Sequence, residues 1–272
     1  MNFKAFCSDI DGTLLNSIRD LSPRLKSIVT QLPQEVPVIL ASSRMPDAMR
    51  HLLSDLGRSA QPLISYNGGF VLSSMGEVLE DVSIPVDLVA KILAVTKGTD
   101  IHVSLYQGEN WYEEKDDYWS QREVKNTKVD YTWMPADGVL DLWSKGNSGA
   151  HKVMCMGTSP EIAWLFGELH LAHAPDLHLY RSSDTYLEIA PRAISKATGL
   201  RKILAHEYEF GMEDVIAFGD NYNDIDLLQS VGWGVAVGNA RAEVKAVAKE
   251  VTLHHKEDGV AATLERIRSL RL

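Results

Sequence analysis

Phe3-Lys4-Ala5-Phe6-Cys7-Ser8, followed at once by Asp9-Ile10-Asp11-Gly12-Thr13, reads as a buried strand that ends in two carboxylates and a glycine turn. Acids placed directly after a buried strand sit at the carboxyl end of a parallel sheet, where open α/β folds bind ligands. Two carboxylates so close repel each other and stay ionised together only beside a cation. A hard cation such as Mg²⁺ takes oxygen ligands and suits them. Gly12 lets the backbone turn sharply and lets a ligand come close.

Outward from this stretch, strands and helices alternate. Ser22-Pro23 predicts a helix start, with serine as N-cap and proline in the first turn, and a helix running to about Leu32. Residues 36–41 (VPVILA) predict a second buried strand rich in β-branched residues. Pro46 opens an expected helix ending near Gly57, residues 62–66 an expected strand, and Asn67-Gly68 is a turn signal. This alternation predicts βαβ units and a parallel sheet. From about Pro85 the pattern changes to strand-like pieces around residues 101–105, 111–112, 129–133, 151–156, 177–180 and 186–189, with helices at 86–95 and from Ser159. From Lys196 the first pattern resumes. The fold class is therefore α/β: a Rossmann-like parallel-sheet core built from residues 1–84 and 188–272, with an α+β domain inserted at 85–187.

A second acidic run, Gly219-Asp220-Asn221-Tyr222-Asn223-Asp224, also follows a predicted strand. Ser42 follows the second strand, and Lys196 stands at a helix start after Glu188-Ile189-Ala190-Pro191. With these in place the chain resembles the haloacid dehalogenase superfamily, and within it the Cof-type phosphatases. The DxDGT loop is matched from Asp9 to Thr13, the Ser or Thr of the second motif by Ser42, the Lys of the third by Lys196, and GDxxND in full from Gly219 to Asp224. The Ser65-Tyr66-Asn67-Gly68-Gly69 run and the position of the inserted unit, a C2B-type cap, also match. One departure is Ser42-Ser43-Arg44 where this group usually has Thr-Gly-Arg. It keeps the hydroxyl but puts the local backbone conformation in question.

The resemblance implies a magnesium-dependent phosphatase that passes through an aspartyl-phosphate. In it, Asp9 is the nucleophile and Asp11 the general acid and base, with Ser42 and Lys196 holding the phosphoryl oxygens. Asp9, Asp11 (through its backbone carbonyl), Asp220 and Asp224 hold the metal. Gly12, Arg44, Asn67 and Asn223 join Ser42 and Lys196 in binding substrate. The implied partner is a small phosphorylated metabolite, a sugar phosphate or a relative of one, selected by the cap as it closes over the site. Two other functions fit the same residues: a phosphomutase, using cap cations such as Lys115, Arg122, Lys125, Lys128 and Lys145 for a second phosphate, and a non-catalytic ligand-binding protein.

Simpler readings stand beside these. Ser42 also fits a plain turn residue, Asn67 an ordinary hairpin turn, and Arg44 a partner for a core acid. Lys196 is better explained by a site, because a cation at a helix N-terminus is electrostatically unfavourable. Of the tryptophans, Trp111, Trp119, Trp133 and Trp143 fall in the inserted unit and are expected to build its core. His151, His254 and His255 lack metal-ligand spacing.

Composition sets the limits. The 272 residues are 45% hydrophobic and 24% charged, as for a globular chain, with a formal charge of −10. That balance argues against nucleic acid or an anionic membrane as partner, since both require clustered positive charge. Cys7 and Cys155 lie far apart in apolar runs, so buried free thiols of a reducing compartment are expected. Acidic residues come too early for a signal peptide, and no apolar run is long enough to span a bilayer. A cytoplasmic monomer or homodimer is expected.

Overall fold

The computed structural model describes residues 3–269. The chain divides into two compact units, one of Met1–Asp81 with Ser195–Leu272 and one of Val82–Ile194.

In the first unit, β1 (Ala5–Ser8), α1 (Pro23–Thr30), β2 (Val38–Ala41), α2 (Asp47–Asp55) and β3 (Leu63–Ser65) form the expected alternation. Ser22 caps α1 by accepting from the Leu25 N–H at 3.0 Å, with Pro23 in its first turn. A tight turn at Tyr66–Gly68 leads into β4 (Phe70–Leu72) and β5 (Val78–Asp81), which run antiparallel to what precedes them.

The second unit follows. It contains β6 (Ile84–Pro85), α3 (Val86–Thr96), β7 (His102–Gln107), β8 (Asn110–Glu113), α4 (Tyr118–Thr127), β9 (Thr132–Trp133), α5 (Ala136–Gly146), β10 (Gly149–Ala150), β11 (Lys152–Met156), α6 (Ser159–His173), β12 (Leu177–Ser183) and β13 (Tyr186–Pro191). Its six-stranded sheet has the order β12-β13-β11-β7-β8-β9, and β6 pairs with β10. One face of the sheet carries an apolar core that includes Leu105, Val153, Cys155, Leu187, Trp143 and Leu165. The divisions expected at 84/85 and 187/188 cut through β6 and β13. β13 belongs to this sheet along its length, because it pairs with β11 and β12 on either side. Of the four tryptophans, Trp111 and Trp143 are buried and Trp133 is 63% exposed.

The chain returns to the first unit with α7 (Lys196–Glu207), β14 (Val215–Gly219), α8 (Ile225–Ser230), β15 (Trp233–Ala236), α9 (Ala242–Val247), β16 (Glu250–Val251) and α10 (Gly259–Ser269). The eight strands lie in the order β16-β15-β14-β1-β2-β3-β4-β5, with parallel pairing from β16 through β3. β1 is central and fully buried. The chain proceeds to β2 and β3 on one side of it and to β14, β15 and β16 on the other. A topological switch at β1 leaves a crevice beyond the carboxyl ends of β1, β2 and β14. Both cysteines are free and buried. Among the described residues no helix is long and apolar enough to cross a membrane.

Candidate active site

Each motif leaves a strand at this crevice. Asp9 is the first residue after β1, and its N–H donates to the Phe218 carbonyl of β14 at 3.0 Å, which fixes its backbone to the neighbouring strand. Ser42 follows β2 and donates its N–H to the Ile64 carbonyl of β3. Asp220 follows β14. The loop after β14 folds on itself: Asp224 Oδ2 accepts from the N–H groups of Asp220 and Asn221 at 2.9 and 3.0 Å. The GDxxND spacing is thus the spacing of a self-capped turn.

Lys196 comes from the other end of the chain. It is the first residue of α7, whose cap is Ser195, and it is fully buried. Its Nζ donates to Asp9 Oδ1 at 2.5 Å and to Asp224 Oδ1 at 2.6 Å. The turn at Asn67-Gly68 makes this approach possible. Gly68 has φ of +104°, and a Cβ there would lie 2.3 Å from the Ser195 carbonyl oxygen. Gly12 has a matching constraint, with φ of +85° and space for a Cβ closed at 2.7 Å by Asp220 Oδ2.

Asp9, Asp220 and Asp224 can each offer one carboxylate oxygen, all within 4.8 Å of one another. Burial pushes the Asp9 carboxyl well above the usual carboxylate range; Lys196 pulls it down, and Asp224 and Asp220 push it up again. Asp220 is pushed up to about 6, by burial first and then by Asp224, against the Thr13 hydrogen bond and Lys196. When ionised together, three carboxylates against one ammonium carry a net charge of −2. An all-oxygen donor set with that charge fits a hard divalent cation.

The Asp11 carboxylate, expected as the general acid and base, meets two arginines. It accepts from Arg44 Nε at 2.7 Å and Nη2 at 2.9 Å, and Arg19 Nη2 lies 2.8 Å from Oδ1. Burial pushes this carboxyl up, but the charge and hydrogen bonds of Arg44, and then Arg19, outweigh it and hold it below the usual range. Arg44, expected at the substrate, is buried, and it also donates to the Ala48 carbonyl. Asn67 and Asn223 meet each other, Asn223 Nδ2 donating to Asn67 Oδ1 at 2.9 Å, while the Asn67 N–H donates to the Ser42 carbonyl. The pair ties three motif loops together. Ser43, in place of the usual glycine, is absent from the described non-glycine residues with positive φ, so serine is accommodated there without backbone strain.

The family model for haloacid dehalogenase-like hydrolases matches residues 6–264. The chain belongs to this family. A solved haloacid dehalogenase-like hydrolase from Bacteroides thetaiotaomicron superposes with a TM-score of 0.86 at 28% identity, over 97% of this chain and 99% of that one. A Haemophilus influenzae protein named "Putative phosphatase" is 32% identical over 271 residues, covering 97% of this chain and 98% of its own. The 5-amino-6-(5-phospho-D-ribitylamino)uracil phosphatase of Bacillus subtilis is 26% identical over 270 residues, 96% of each chain.

This haloacid dehalogenase-like hydrolase has three further site neighbours to which the sequence reading assigned no role. Thr13 Oγ1 donates to Asp220 Oδ1 at 2.9 Å, Asn239 Nδ2 donates to the Gly12 carbonyl at 2.8 Å, and Arg19 reaches Asp11. Thr13 lies within the quoted motif. Arg19 and Asn239 come from stretches without a pattern that would single them out.

Proposed function

We propose that this enzyme is a magnesium-dependent phosphatase that hydrolyses small phosphate monoesters through an aspartyl-phosphate on Asp9. One observation carries the reading: Asp9, directly after the central strand, is in contact with Lys196, inside a carboxylate cluster completed by Asp220 and Asp224. A carboxylate is a competent nucleophile toward phosphorus without a base to activate it. Asp11 takes up a proton as the anionic substrate binds and displaces Arg19 from its carboxylate; Asp9 then attacks, the P–O bond to the leaving group breaks, and Asp11 delivers that proton to the departing oxygen. Asp11 then takes a proton from the water that attacks the phosphoryl group and frees Asp9. Lys196 holds a phosphoryl oxygen and offsets its charge, and Ser42 donates its hydroxyl proton to another. Asp9, Asp220 and Asp224 would hold Mg²⁺, with the Asp11 carbonyl; when bound, the ion supplies positive charge at the phosphoryl oxygens. Phosphoryl transfer depends mainly on such positioning and electrostatics.

The phosphatase names of the relatives support the reaction class. The acidic chain supports a small phosphorylated metabolite as partner rather than nucleic acid or membrane. The test is phosphate release from a panel of phosphorylated metabolites, with Mg²⁺ and with EDTA, beside Asp9→Asn. Release that needs Mg²⁺ and disappears in the variant is expected. Equal release by Asp9→Asn would overturn the assignment of the nucleophile.

A further inference from the structure

Arg44 and Arg19 share one carboxylate and hold it in different ways. Arg44 is 6% exposed and meets Asp11 as a fork, Nε on Oδ2 and Nη2 on Oδ1. Its third nitrogen, Nη1, donates to the Ala48 carbonyl of α2 at 3.2 Å, and its own carbonyl accepts from the Tyr66 N–H at 3.1 Å. The plane of the guanidinium is therefore fixed to rigid structure. Arg19 reaches Asp11 from the loop after β1, at a residue with φ of +59°, through one nitrogen and a side chain that is 50% exposed. The Asp11 side chain is itself 38% exposed, so packing alone does not hold its torsion.

We propose that Arg44 is the positioning residue for Asp11, fixing the plane and direction of its carboxylate for proton transfer, and that Arg19 is an exchangeable partner which bound substrate displaces. The assignment rests on Asp11 being the proton donor of the proposed reaction. A proton donor acts only within hydrogen-bond reach of the departing oxygen, and an error of about 1 Å can cost about 10²-fold in rate. A bidentate guanidinium fixes both oxygens at once, which the point charge of a lysine does not. Arg44 therefore serves the step in which a poor leaving group needs a proton. It has little to do where the leaving group departs unaided.

The experiment measures the first-turnover rate of phosphoenzyme formation, by quenched flow with Mg²⁺. The two esters are p-nitrophenyl phosphate, whose phenolate leaves without a proton, and the alkyl phosphate that the wild type turns over fastest. The proteins are wild type, Arg44→Met, Arg44→Lys and Arg19→Ala. Both Arg44 variants are expected to lose about 10²-fold or more on the alkyl ester and only a small part of that on the aryl ester. The ratio of the two rates is independent of how much of a variant is folded. Arg19→Ala is expected to keep the wild-type ratio while its KM changes. Equal losses on both esters in the Arg44 variants, or a shifted ratio in Arg19→Ala, overturn the assignment. A wild type that forms no phosphoenzyme from either ester overturns the reading of the site itself, and the Arg44 assignment with it.

Discussion

Asp9 must be an ionised nucleophile, yet it is buried beside two further carboxylates. Lys196 reconciles part of this by bridging Asp9 and Asp224 from a fully buried position. Burial works against its charge, and Asp224 and Asp9 outweigh that and push its pKa up, so it remains an ammonium at any working pH. Removing one partner of a buried ion pair typically costs about 3–5 kcal/mol because the other charge is stranded. Lys196→Met is therefore expected to lower stability by about that much in EDTA, measured by urea unfolding, and to lose activity even where it remains folded. A variant as stable as the wild type would show that the cluster is protonated rather than ion-paired. At this scale the sequence was most informative where chemistry and chain geometry coincide: Asp9 directly after a buried strand, and Asp220 and Asp224 four apart in a self-capped loop. The partners of Asp11 were hidden. Arg44 reads equally well as a substrate ligand or a core partner, and its fork on Asp11 depends on a fold contact between distant residues.

Among the elements, the turn at Asn67-Gly68 and helix α4 show what local signals carry. Asn67-Gly68 predicts a turn, and the turn both joins antiparallel β3 and β4 and clears space for Ser195. Gly68→Ala meets a backbone oxygen and an unfavourable φ, so about 1–3 kcal/mol of destabilisation is expected, with a loss of activity beyond what the unfolded fraction explains. Full activity would mean that α7 does not depend on this contact. The sequence signals no element over α4 or α5. The buried residues of α4 are Ser120 and Glu123, so it lacks the apolar stripe that betrays a helix. What holds its start is a polar network. Asp117 caps it and meets His102 Nδ1 at 2.9 Å, and His102 Nε2 meets Glu113 at 2.8 Å. Burial pulls the His102 imidazole down, but the hydrogen bonds and charges of Glu113 and then Asp117 outweigh it and raise it above its ordinary value. A raised histidine stabilises fully below its unfolded pKa of about 6.5 and loses that contribution as pH rises through the higher folded value. Thermal stability is expected to fall over that upper window in the wild type and to be flatter in His102→Gln. Parallel pH profiles for the two would contradict this.

For the molecule as a whole, the order of motifs along the chain was enough to reveal a sheet assembled from both ends with a unit inserted between. The unit boundaries were less legible. β13 looks like a core strand from its apolar residues, and only its pairing with β11 and β12 assigns it to the inserted sheet. Binding a divalent cation to the folded cluster stabilises the whole fold by mass action, by about 2.7 kcal/mol at a hundredfold excess over Kd. A rise in Tm on adding Mg²⁺, reversed by EDTA and absent in Asp220→Asn, is expected from calorimetry. An equal rise in the variant would place the ion elsewhere. The proposed reaction turns on one bond, from Asp9 to phosphorus. The most direct measurement is to stop the wild type with acid during its first turnover, reduce the trapped acyl phosphate with borohydride, and sequence the peptides by mass spectrometry. The predicted result is homoserine at position 9 in place of Asp9. An unmodified Asp9 during active turnover, or reduction at another carboxylate, would contradict the account.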